Sequence, residues 1–116
     1  MYRNVFLFLF LFPATVFSQS TKFYDFNWEP CDIAQASFFS IAEKTDSGWL
    51  RKDFFIGTKT LQMVALYKDS LNKIYNGNVS YYYANGNLDA IGRYEEGKKE
   101  GLYLRYHPNG MMMDSG

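Results

Sequence analysis

The chain has 116 residues, twelve of them basic and twelve acidic, with a single histidine, so it is formally neutral at pH 7. Without a basic excess there is nothing to track a phosphate backbone, which argues against nucleic acid as a partner. One cysteine, Cys31, rules out an internal disulfide. The compositional outlier is aromatic content, since eleven phenylalanines and ten tyrosines suit the pleated, half-buried surface of a sheet.

Residues 1–18 read as a secretory signal peptide. Arg3 supplies the basic n-region, Val5 to Phe12 form an unbroken apolar run, Pro13 breaks it, and Val16-Phe17-Ser18 precede Gln19. The run is far shorter than the roughly 20 apolar residues of a spanning helix. Export is therefore expected, with the membrane met only through this segment. An anchor that is never cleaved is the alternative.

From Gln19 onward helical periodicity is almost absent, and short apolar-aromatic runs alternate with turn signals, which predicts an all-β meander of antiparallel hairpins. Residues 19–47 form an N-terminal β segment. Its first strand is expected at about Thr21–Phe26. A loop through Pro30 follows, because proline cannot donate to a central ladder, and then a strand from about Gln35 to Glu43. Thr45-Asp46-Ser47-Gly48 is a turn by composition. Further strands are expected at about Trp49–Ile56 and Leu61–Tyr67, with a loose loop over Asp69–Lys73.

Residues 48–116 hold about three repeats. GNVSYYYANGNLDAIG, starting at Gly77, aligns without a gap with GLYLRYHPNGMMMDSG, starting at Gly101, at an offset of 24 residues. Gly77 falls on Gly101, Tyr82 on Tyr106, Asn85 on Asn109, Gly86 on Gly110 and Gly92 on Gly116. A fixed period marks units that bury an apolar face only by stacking on their neighbours. Asn85-Gly86 reads as a type I′ hairpin turn, and Asn109-Gly110 repeats it, with Pro108 favouring a longer turn and a bulge. A degraded copy precedes these two. Gly48 to Gly57 match Gly77 to Gly86 at an offset of 29, while Leu61, Met63, Ala65 and Tyr67 match Leu88, Ala90, Gly92 and Tyr94 at 27, implying a two-residue insertion within Thr58–Thr60.

Alternation then assigns faces. Leu88, Ala90, Gly92 and Tyr94 share one face, and Tyr82 with Ser80, and Tyr106 with Leu104 and Leu102, are expected to join them on the buried side. Gly92 leaves room for a backbone or a tyrosine ring to approach. Tyr81, Tyr83, Tyr103 and Arg105 are left on the opposite face as a partner-binding strip, tyrosine and arginine being enriched at interfaces. Glu95-Glu96-Gly97-Lys98-Lys99-Glu100-Gly101 reads as a polar connection between hairpins.

The run GNVSYYYANGNLDAIGRYEEGKKEGLYLRYHPNG resembles the bacterial variant of the MORN repeat: a glycine, a tyrosine-rich strand, Asn-Gly, a Leu-x-x-x-Gly-x-Tyr return strand, and Gly-Lys-Lys-Glu-Gly before the next unit. The likeness covers about Gly48 to Gly116. It implies a non-enzymatic protein exported to the periplasm or cell envelope of a gram-negative bacterium, offering a binding surface to a protein or an envelope component. Two alternatives follow from the same resemblance: an antitoxin-like component that binds a protein toxin, or a truncated relative of a TonB-type envelope energy transducer. The likeness departs from the pattern at Gly116, the counterpart of Gly92, after which no equivalents of Arg93 and Tyr94 follow, so the last repeat is expected to be incomplete.

No residue set suggests catalysis, a cofactor or a metal. His107 sits beside Pro108 at a strand end and reads as a surface turn position, and one histidine with one distant cysteine cannot supply a tetrahedral shell. Cys31 reads as a partly buried small residue. Met111-Met112-Met113 beside a last strand is adaptable apolar material, and predicts self-association through that edge.

Overall fold

A computed structural model describes residues 20–113; the signal segment lies outside them. Seven strands form one antiparallel sheet in sequence order: β1 (Ser20–Tyr24), β2 (Phe38–Thr45), β3 (Gly48–Phe55), β4 (Leu61–Tyr67), β5 (Tyr75–Tyr82), β6 (Leu88–Glu95) and β7 (Lys98–Arg105). The sheet is an open all-β meander, and among the described residues the one helical piece is a 3-10 turn at Ile33–Gln35. That turn occupies the expected start of the second strand, which begins only at Phe38.

One face holds the core. Met63, Ala65, Tyr67, Val79 and Ala90 are its buried apolar residues, with Ala65 fully covered and Val79 only 1% exposed. Cross-strand neighbours share a face, so the register defines its rows. One row runs Ala42, Arg51, Ala65, Val79, Gly92, Tyr103 across β2 to β7. The next runs Ser40, Asp53, Met63, Tyr81, Ala90, Arg105. Apart from Met63, the residues of these rows on the return strands β2, β4 and β6 are small, and they face larger ones on β3, β5 and β7. A single layer can bury a face in this way, because rings and long side chains lie down over alanine and glycine.

Gly92 shows the contact directly. A Cβ built there would lie 2.6 Å from Cδ1 of Tyr103, a distance that real side chains do not tolerate. The remaining cover is a ring ladder. Tyr67 and Tyr75 have centroids 5.0 Å apart, and Tyr75 and Tyr94 4.8 Å, both in tilted arrangements that suit aromatic quadrupoles. The reverse face carries Phe39 stacked on Phe54 at 4.8 Å, with Ile41, Leu50, Val64, Leu66, Ile91 and Leu104 half-buried along it.

The expected faces change, and Leu102, expected on the buried side, is exposed. Val79 and Tyr81 stand opposite Gly92 and Ala90, and Ser80 stands opposite Ile91. Tyr81 therefore shares the core face with Ala90 and Gly92, while Ser80 and Leu104 lie on the reverse face. The cause is a register shift between Tyr81 and Tyr82, beyond which Tyr82 pairs with Leu88. A bulge adds one residue to one strand, so alternation carried across it puts every later side chain on the wrong face.

The turns differ too. Asn85 is not in the left-handed region, and only Gly86 is, at φ 94°, with its N–H donating to the Tyr83 carbonyl at 2.9 Å. This is a three-residue loop built from a type I turn and a left-handed glycine, not a type I′ turn. Gly110 repeats it, at φ 92° with a 2.8 Å bond to the His107 carbonyl, and Pro108 occupies the turn position that its fixed φ favours. Asn85 and Asn109 serve through their side chains, each accepting at 2.9 Å from the backbone N–H two residues on. A two-residue turn with positive φ at both central positions does occur, at Glu96 (53°) and Gly97 (85°). Glu95 and Lys98 pair across it, so the expected polar connection is itself a hairpin between β6 and β7.

The degraded repeat is offset by 28 residues in its outgoing strand, not 29. Arg51, Asp53 and Phe54 occupy the places of Val79, Tyr81 and Tyr82 opposite β4 and β6. The insertion is therefore one residue, and the left-handed position falls on Lys59 (φ 60°), the counterpart of Gly86, not on Gly57.

Candidate functional site

The residues singled out from sequence divide between two places. Tyr81, Tyr103 and Arg105 share the core face, and they are not a free strip opposite it. Tyr81 packs against the core, and its hydroxyl lies 3.0 Å from that of Tyr75. Burial pushes the Tyr81 phenol far above its ordinary pKa, with the Tyr75 hydroxyl adding to the effect. Tyr67 is displaced in the same direction, again chiefly by burial. Both phenols stay neutral donors and acceptors. Tyr103 covers Gly92, with Lys99 Nζ 4.2 Å from its ring centroid. Tyr83 donates from its hydroxyl to the Tyr106 carbonyl at 2.6 Å, tying the β5–β6 hairpin to the end of β7. Asn85 and Asn87 both donate to the Pro108 carbonyl, at 2.9 and 2.8 Å, so consecutive repeat turns are joined through side-chain amides.

Beside β7 the molecule exposes apolar side chains. Leu102 is 70% exposed, Met111 67% and Met112 60%. Met112 bridges to Tyr106, and the Met113 N–H donates to the Arg105 carbonyl at 2.8 Å, so the chain starts to pair along the outer side of β7. His107 is an exposed turn residue whose backbone N–H donates to Met111. Cys31 is half-buried, and burial followed by the charges of Asp25 and Asp32 raises its thiol pKa, away from thiolate reactivity. No group of three or more metal-ligating side chains occurs among the described residues.

The other end of the core face has a different chemistry. In the rows where β5 places Val79 and Tyr81, β3 places Arg51 and Asp53. Arg51 donates to Asp53 through Nε at 2.7 Å and Nη2 at 3.2 Å, with side chains 17% and 5% exposed. Burial raises the Asp53 carboxyl above the usual carboxylate range, and the hydrogen bonds and charge of Arg51 recover only part of that shift. For Arg51, burial is opposed by the hydrogen bond and charge of Asp53, which hold it firmly protonated. The Arg51 guanidinium also lies 5.5 Å from the ring centre of Tyr24.

Above this pair, the loop between β4 and β5 closes one side of a crevice of about 130 Å³. Asp69 organises the loop by accepting from the backbone N–H groups of Lys73 (3.0 Å) and Ile74 (2.9 Å). The Ile74 hydrogen bond is the main cause that lowers its carboxyl pKa. Asn72 sits there in the left-handed region at φ 56°, and its side-chain nitrogen is buried with no hydrogen-bond partner. An orphaned buried donor of this kind costs about 1–3 kcal/mol. The internal sequence repeat does not point to this region. Arg51 and Asp53 carried a signal, because opposite charges two apart in a strand share a face. Asn72 carried none, since its position depends on how the loop folds back.

Comparison with known protein families, with curated proteins and with solved structures finds no match for this chain.

Proposed function

We propose that this is a non-enzymatic, exported repeat protein that binds a protein or envelope component through the region around β7. The observation that carries the reading is the exposure of Leu102 on β7 and of Met111 and Met112 in the segment that follows it. Exposed methionine is adaptable apolar material of the kind used at binding surfaces, and the part of β7 before Arg105 offers backbone groups to a further strand. The signal-like residues 1–18 and the likeness to the bacterial MORN variant support export.

Two measurements test this. Expression of the full chain in a gram-negative host should yield a periplasmic product whose mass lacks the first 18 residues or so; retention of the intact chain in the cytoplasm overturns the export half. Sedimentation of the mature protein over a wide concentration range should show association that Leu102→Glu with Met112→Glu abolishes without loss of the β-sheet circular dichroism signal. A monomer at every concentration that also leaves a photocrosslinker at position 102 unreacted in the periplasm overturns the binding half.

A further inference from the structure

We infer that the crevice between the β4–β5 loop and strands β1 to β3 binds a small oxyanion group, a phosphate or a carboxylate. This does not rest on the proposed role of β7, which lies at the other end of the sheet.

The lining is rich in side-chain donors. Lys22, Tyr24, Ser40, Trp49, Arg51 and Asn72 are among the lining residues, and no acidic side chain lines the crevice among the described residues. Lysine, arginine and tryptophan side chains can only donate. Asp53 is engaged by Nε and Nη2 of Arg51, and Asp69 by backbone N–H groups of its own loop, yet a guanidinium carries five N–H groups, so Arg51 keeps donors for a second acceptor. A carboxylate already bound edge-on also fixes the plane of that guanidinium, which presents the remaining donors in a set direction.

Asn72 supplies an independent observation. It is the one buried side-chain nitrogen or oxygen without a partner among the described residues, and it lines this crevice. Its loop is held by two backbone hydrogen bonds to Asp69, so the amide is placed by structure that exists before any ligand arrives. An acceptor oxygen is what a buried lone donor lacks, and an ionised oxygen satisfies it more strongly than a neutral one. The volume is several times what one water requires, enough for a single small anion with Tyr24 and Trp49 as its flanks.

The test is a ¹H–¹⁵N NMR titration of the full mature chain with inorganic phosphate in one arm and citrate in the other, at constant ionic strength held with chloride. Saturable shifts concentrated at Asn72 Nδ2, Arg51 Nε and Lys22 are expected. Asn72→Gly, which suits the left-handed backbone, should weaken binding about tenfold, the loss of one hydrogen bond to a charged group. Asn72→Asp, which places a like charge in the crevice, should abolish it, and Lys22→Gln should weaken it several-fold. Tighter phosphate identifies a phosphorylated ligand, and tighter citrate a carboxylate ligand; both support the site. Linear, unsaturated shifts spread over the surface lysines, or binding unchanged in Asn72→Gly and Asn72→Asp, overturn it.

Discussion

The hairpins β3–β4 and β5–β6 use one backbone for two kinds of interior. Arg51 and Asp53 on β3 occupy the positions that Val79 and Tyr81 hold on β5, each opposite a small or apolar residue of the following return strand. At β5 the result is apolar: Val79 is fully enclosed and Tyr81 satisfies its hydroxyl on Tyr75. At β3 it is an ion pair, with the carboxylate buried and its charge opposed by desolvation. Hairpins paired in this way need a turn where the chain reverses and a residue small enough where a ring or long chain crosses, as at Ala65 and Gly92. They do not need to repeat what crosses, which leaves one unit free to carry charge into the face that the next fills with hydrocarbon and phenol.

Breaking the ion pair from one side gives the largest expected effect. Asp53→Ala leaves the Arg51 guanidinium half-buried without its partner, a change of about 3–4 kcal/mol in chemical denaturation. The double variant Arg51→Met/Asp53→Leu gives β3 an apolar interior like that of β5, and should recover most of that loss. If the double variant is as unstable as the single, the pair does more than fill its place, and the comparison fails.

Gly92→Ala comes next. It drives a methyl into the Tyr103 ring and should destabilise by about 1–3 kcal/mol. Ala65→Gly, at the matching position of the first repeat, should cost only about 1 kcal/mol, because no overlap is relieved or created there. Equal losses at the two sites would mean that Tyr103 moves aside freely.

A smaller effect distinguishes two carboxylates by pH. Carboxyl NMR should place Asp53 above the ordinary aspartate value of about 3.9, and Asp69 below it. The signs are opposite. Asp53, raised by burial, binds its proton more tightly in the folded state, so its contribution falls as pH rises from the unfolded value through the raised one. Asp69, lowered by backbone N–H groups, adds stability above the unfolded value that disappears as pH drops through the lowered one. Removing each in turn as the asparagine variant should therefore shift the acid limb of stability in opposite senses.

The smallest effect belongs to the exposed Lys68–Glu96 pair, 2.6 Å apart, which ties the β4–β5 loop to the β6–β7 turn. Lys68→Ala should change stability by no more than about 0.5 kcal/mol and leave the crevice signals of Asn72 in place. A shift at Asn72 would show that the loop is held from outside, and not by Asp69.

Local chemistry is legible in this chain wherever a short segment decides its own conformation. The alternation of aromatic runs with turn residues determined an all-β meander, and Leu61–Tyr67 is a strand with the bounds read from sequence. The 24-residue offset carries Val79 and Tyr81 onto Tyr103 and Arg105, which share their rows. The space above Gly92 follows from an absent side chain, and a tyrosine ring fills it. What only the tertiary structure decided is which face is buried and which residues meet above it. Bulges near Tyr81, Ala65 and Gly92 reset the alternation of whole strands, and a period of two retains no memory across an inserted residue. The crevice depends on a loop that returns over strands β1 to β3, so that Lys22, Arg51 and Asn72 share a site that no spacing between them announces.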